Sequence, residues 1–153
     1  MKYHIEKNTV QETLVIPLYG RKMCSELYPN LYRDETALRL INQIDYDFSL
    51  LSQKSKSLMQ QFGFLEAAMR QNDLAWEVRD YLREHPNAAV VNLGCGLDDT
   101  GRSCDNGSCR IYNLDFPGRM HRFYGSLRQI RNFPLGRQSC WPLQRNFIFS
   151  RIP

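Results

Sequence analysis

The chain has 153 residues, a formal net charge of +4 and 42% hydrophobic residues, an ordinary composition for one modest globular domain. No apolar run is long enough to span a bilayer, and Met1-Lys2-Tyr3-His4-Ile5-Glu6 has no apolar signal core, so the cytoplasm is the expected location and no membrane is expected as a partner. Five cysteines, an odd number, argue against a secreted disulfide framework.

Residues 9–28 read as a helix, with Val10, Leu14 and Leu18 spaced by four and Pro17 expected to kink or interrupt it. Arg21 and Lys22 within it could meet a ligand's carboxylate, but surface cations are the expected reading. Asp34 is an N-cap residue type, and Leu38, Ile41 and Ile44 follow at helical spacing. Residues 48–61 predict a polar-faced helix stopped by Gly63. Residues 64–84 are the longest helical reading, with an apolar stripe of Leu65, Met69, Trp76, Val78 and Leu82. Arg70 and Asp73, three apart, share a face and could pair. Pro86 then releases the chain into an extended segment.

Ala88 to Leu93 is a short apolar run with two β-branched valines, which predicts a buried strand of a parallel sheet. It stops at Gly94-Cys95-Gly96, where glycines allow a sharp turn and let a ligand lie close to the backbone. About 20 residues on, Cys109 to Asp115 reads as a second strand ending in a carboxylate, a spacing that suits a ribose-binding acid. The dinucleotide fingerprint G-x-G-x-x-G fails at its third glycine, which here is Asp99. A carboxylate there, next to Asp98, would repel a pyrophosphate. S-adenosylmethionine has no phosphates and carries a cationic sulfonium and an amino group, so it is the expected cofactor. A plain structural turn is the alternative for the glycines alone.

Val91-Asn92-Leu93-Gly94-Cys95-Gly96-Leu97-Asp98, followed by Leu114-Asp115-Phe116-Pro117, resembles the leucine carboxyl methyltransferase family, which includes O-methyltransferases of polyketide pathways. Pro17-Leu18-Tyr19-Gly20-Arg21-Lys22 resembles its N-terminal region more loosely. The resemblance implies that Gly94, Cys95, Gly96 and Asp98 form the cofactor loop and that Asp115 holds the ribose hydroxyls. It implies that Arg70, on the helix before the first strand, meets the methionine carboxylate; pairing with Asp73 stands as the other reading. The implied fold is α/β: N-terminal helices (1–87), then the first βαβ portion of a Rossmann-like class I methyltransferase domain (88–117). The implied activity is transfer of a methyl group to a carboxylate or hydroxyl oxygen of a small-molecule or peptide acceptor. The catalytic residues are not identified by it.

Cys95, Cys104 and Cys109 lie within fifteen positions, but no paired ligand set completes a zinc site, so buried or incidental thiols and no metal are expected. Asp105-Asn106-Gly107 reads as the turn that launches the second strand. Residues 118–153 carry seven arginines, no lysine and no acid, which leaves −3 on the first 117 residues. Arg145 to Phe149 could be a short strand, and Trp141-Pro142 argues for irregular chain. Such a tail could bind nucleic acid, could replace the usual later half of the fold, or could be translated from a shifted frame, the reading its composition favours. A truncated enzyme is therefore expected, with a non-catalytic remnant as the serious alternative and a nucleic-acid-binding protein as the weaker one.

Overall fold

In a computed structural model the described residues are 2–9, 11–54, 57–115 and 139–142. They form a mixed α/β arrangement with two small parallel sheets. Strand β1 (Tyr3–His4) pairs with β2 (Ile44–Asp45), and helices α1 (Glu12–Leu27) and α2 (Glu35–Ile41) lie between them in the chain. Helices α3 (Ser49–Lys54) and α4 (Leu58–Glu84) lead to β3 (Ala89–Leu93), α5 (Thr100–Cys104), β4 (Arg110–Asp115) and β5 (Ser139–Pro142). The second sheet has the order β3-β4-β5, all parallel, with Val91 opposite Tyr112 and Leu114 opposite Trp141. No helix among the described residues is long and apolar enough to cross a membrane.

Helix α1 runs unbroken through Pro17. Proline removes one donor and crowds the preceding turn. Pro17 and Thr13, one turn earlier, both lie on the exposed side of the helix, where a disturbed ladder is tolerated. Val10 lies outside the described residues. Asp34 caps α2 as expected, its Oδ1 accepting from Ala37 N at 2.8 Å. Ile44, however, belongs to β2 and not to that helix. The helix ends at Ile41, and Tyr3 N donates to Gln43 O at 2.8 Å, drawing the chain into strand pairing.

The helix predicted over 48–61 divides, and Gly63 does not stop it. Ser57 caps α4, its Oγ accepting from Gln60 N at 3.2 Å, and α4 continues through Gly63 to Glu84. The buried stripe of α4 is also displaced from the predicted one: Phe64, Ala68, Ala75 and Leu82 are buried, whereas Trp76 is 54% exposed. The reason is that α4 packs on two bodies. Phe64 joins the core formed by Val15, Leu18, Tyr19, Leu40 and Leu97. Ala75 and Leu82 pack instead with Cys104, Cys109 and Ile111 beneath the sheet. Close approach of α1 to α4 uses Gly20, where a Cβ would sit 3.2 Å from Phe64 Cδ1.

Strand β3 is less enclosed than its apolar run predicts. Val90 and Asn92 are half-buried toward α4 and α5, while Ala89, Val91 and Leu93 are exposed on the face that no described residue covers. The basic tail is outside the described residues apart from β5, and so is the strand predicted over 145–149. Trp141-Pro142, expected to lie in irregular chain, belongs to β5, which pairs with β4. Proline costs the ladder one donor only, and Pro142 sits at the strand's last position.

Three segments, the start of α2, α4 and the chain after β3, meet at Arg21, which is 3% exposed and so is not the surface cation expected from sequence. Its Nη1 donates to Asp34 Oδ2 at 3.0 Å and also to Gln71 of α4. Its Nη2 donates to Leu97 O at 2.6 Å. Asp34 also accepts from the Tyr32 hydroxyl at 3.2 Å. Lys22 is half-buried and pairs with Glu26 at 2.6 Å. Removing one partner of a buried, hydrogen-bonded pair costs about 3–5 kcal/mol. Arg21→Gln should therefore lower the denaturation midpoint by an amount corresponding to about 3 kcal/mol or more, measured by urea unfolding. A loss below about 1 kcal/mol would contradict a structural role for the pair.

Candidate functional site

The cavity lies where α1 and α4 face the turn after β3 and has a volume of about 390 Å³, within the usual range of small-molecule pockets. Gly94, Cys95, Gly96 and Asp98 contribute its sheet side, and Arg70 its α4 side. Five of the six residues expected to bind cofactor thus share one cavity. Asp115, the sixth, is 1% exposed and lies under the loop, not on the cavity wall. Its Oδ2 accepts from Gly96 N at 2.7 Å, so it holds the loop from below.

The glycines are required by backbone geometry. Gly94 has φ of +66° and Gly96 of +52°, the left-handed region that L side chains avoid. Gly94 N and Cys95 N both donate to Leu114 O, at 2.7 and 3.2 Å, which folds the turn back over the end of β4. A Cβ on Gly96 would approach Leu14 Cδ2 to 3.1 Å, while one on Gly94 would meet nothing within 4 Å.

Two carboxylates follow the loop and behave differently. Asp98 faces the cavity and receives Asn92 Nδ2 at 3.0 Å and Thr100 N at 3.2 Å. Burial pushes its pKa above the ordinary 3.8, against the opposing pull of Arg21. Asp99 is also raised by burial, but it turns to Arg102, whose Nε lies 3.1 Å from Oδ1, and it does not line the cavity. The acid expected to repel a pyrophosphate at the third-glycine position is therefore paired away from the cavity. Asp98 is the carboxylate that faces the cavity, so the expected repulsion of a phosphate passes to it.

Arg70 is exposed and makes no ion pair with Asp73; among the described residues no ion pair engages it. Its guanidinium remains available at the cavity. Arg21 also lines the cavity, the less favoured of its two sequence readings, because Asp34, 13 residues away, holds it buried. Cys24, Cys95, Cys104 and Cys109 are buried thiols in no disulfide, and burial raises the Cys104 thiol to about 11. Among the described residues no group of three or more His, Cys, Asp or Glu gathers as a metal site would require. The turn before β4 is formed by Asn106 Oδ1, which accepts from Ser108 N and Cys109 N at 2.9 and 2.8 Å.

This is a small-molecule cavity at the carboxyl end of a parallel strand, the usual ligand position in open α/β sheets. The chain is 35% identical over 108 residues, 71% of its length, to the tetracenomycin polyketide synthesis O-methyltransferase TcmP of Streptomyces glaucescens. The matched part amounts to 34% of that protein, so the chain spans about a third of the relative's length. This similarity supports a methyltransferase relationship. No family model matches the sequence, and no solved structure matches it.

The left-handed turn has a direct test. Gly94→Ala should cost about 1–2 kcal/mol from backbone strain alone. Gly96→Ala should cost more, because its Cβ must also displace Leu14. Thermal unfolding of the two variants checks the order, and equal costs would contradict the Leu14 contact.

Proposed function

We propose that this chain forms the donor-binding part of an S-adenosylmethionine-dependent O-methyltransferase resembling the leucine carboxyl methyltransferase family. The observation that carries the proposal is one cavity bounded by a left-handed Gly94-Cys95-Gly96 turn, the inward carboxylate Asp98 and the available cation Arg70. The fold belongs with the opening βαβ part of a Rossmann-like domain, entered from N-terminal helices. The motifs Val91 to Asp98 and Leu114 to Pro117 support the family reading.

The residues present fit the donor. Its carboxylate is matched by Arg70, and its positive charge by Asp98. The absence of Cβ atoms at Gly94 and Gly96 admits close contact with the backbone. Asp115, beneath the loop, accepts from Gly96 N and so fixes the turn that meets the donor; the ribose contact implied by the resemblance is not assigned to it. The donor, when bound, supplies an electrophilic methyl on sulfonium for displacement by an acceptor oxygen. The chain's contribution is to hold that methyl in a fixed direction and to shield it from water. The acceptor is a carboxylate or hydroxyl of a small molecule or peptide, and no described residue is assigned to it.

Calorimetric titration with S-adenosylmethionine tests the proposal. Arg70→Gln should weaken binding about ten-fold or more, as expected for lost hydrogen bonds to a charged group, and Asp115→Asn should weaken it by loosening the Gly96 turn. Asp98 adds a pH signature. Its folded pKa is raised, so its contribution to ligand-free stability is greatest below 3.8 and declines as pH rises through the elevated value. A bound cation favours the ionised form, as Arg21 already does, against burial and the like charge of Asp99. Affinity should thus fall as pH drops through the folded pKa of Asp98, and less so in Asp98→Asn. No binding by folded protein would contradict the proposal.

A further inference from the structure

Thr100, the first residue of α5, is 7% exposed and lines the cavity. Its Oγ1 is buried and has no hydrogen-bond partner among the described residues. An unsatisfied buried hydroxyl costs free energy, so its retention calls for a partner that arrives from outside the fold. The backbone N of Thr100 donates to Asp98 Oδ1 at 3.2 Å, and both residues line the cavity. Both Asp98 oxygens also receive Asn92 Nδ2, at 3.0 and 3.2 Å, so this carboxylate is held in place.

The charge around the hydroxyl selects the ligand group. Arg21 is a buried cation on the same cavity, but its guanidinium is spent on Asp34, Gln71 and Leu97 O. Asp98 is the inward carboxylate of the cavity and lacks a salt-bridge partner among the described residues. A hydroxyl oxygen and a fixed carboxylate lining one cavity can together accept hydrogen bonds from a compact group with several N–H donors. We propose that Thr100 Oγ1 and Asp98 together bind the primary ammonium of the ligand's amino-acid end, making Thr100 a specificity-determining residue of the donor site. This rests on the donor-binding reading above and goes beyond it by assigning a side chain that neither the glycine motif nor the strand-end acid includes.

The test compares S-adenosylhomocysteine with its deamino analogue, which is identical except for the ammonium. Thr100→Val removes the hydroxyl at nearly constant shape. It should weaken S-adenosylhomocysteine about ten-fold and leave the deamino analogue unchanged, measured by calorimetry. Thr100→Ser, which keeps the hydroxyl, should restore binding of S-adenosylhomocysteine. The ligand-free Thr100→Val protein should melt no lower than wild type, because it loses an unpartnered polar atom. Equal weakening of both ligands, or a lowered melting temperature with both weakened, would make Thr100 merely structural and overturn the inference. Undiminished S-adenosylhomocysteine binding in Thr100→Val would overturn it as well, while leaving the donor site intact. Failure of wild type to bind either ligand contradicts the donor reading itself, and this assignment with it.

Discussion

The Arg21 guanidinium connects three segments that are far apart in sequence: Asp34 at the start of α2, Gln71 on α4, and the carbonyl of Leu97 just after the glycine turn. Without it, Asp34 would keep its cap on Ala37 N but would be a buried carboxylate facing only the Tyr32 hydroxyl. The Leu97 carbonyl would lose its charged donor at the same time. Buried pairs of this kind add little net stability over apolar packing, but losing one member is costly. Their use here is geometric. The pair joins the helical body to the turn, and Leu97 is itself part of the helical core.

That connection explains why the cavity can exist on a sheet of three described strands. Its walls come from different bodies: Leu14 and Pro17 from α1, Arg70 from α4, and the glycines and Asp98 from the turn. Helix α4 serves both bodies, packing Phe64 with α1 and Ala75 and Leu82 with the sheet. The turn is fixed from two sides, with Leu97 O bound to Arg21 and Gly96 N bound to Asp115. A ligand contacting it therefore meets donors and acceptors that are already oriented, which lowers the ordering cost of binding.

Local features were legible in the sequence, and long-range ones were not. The glycine turn, both flanking strands, the Asp34 cap and the Asn106 turn are set by residues within a few positions of each other. Their chemistry leaves few alternatives. The buried face of α4 was misread because one helix serves two bodies, so its apolar positions follow two directions and Trp76 falls on neither. Gly63 was misread as a stop because Ser57, six residues earlier, provides the start that matters. Ile44 kept helical spacing but was claimed by pairing with Tyr3, 41 residues away in the chain. Arg21 carried no local sign of burial, since its partners lie 13, 50 and 76 residues distant. At the site, the six expected residues divide into five on the cavity and Asp115 beneath the loop. Thr100 was passed over because an unpartnered hydroxyl is visible only once its surroundings are known.

The central claim is that the glycine turn, Asp98 and the inner faces of α1 and α4 form one ligand site. Amide chemical-shift mapping during titration with S-adenosylhomocysteine tests it most directly. Shifts concentrated at Gly94, Cys95, Gly96, Asp98 and Thr100, together with Arg70 and Gln71 of α4, are the predicted result. Shifts confined to other parts of the chain, or none at saturating ligand with a folded spectrum, would contradict it.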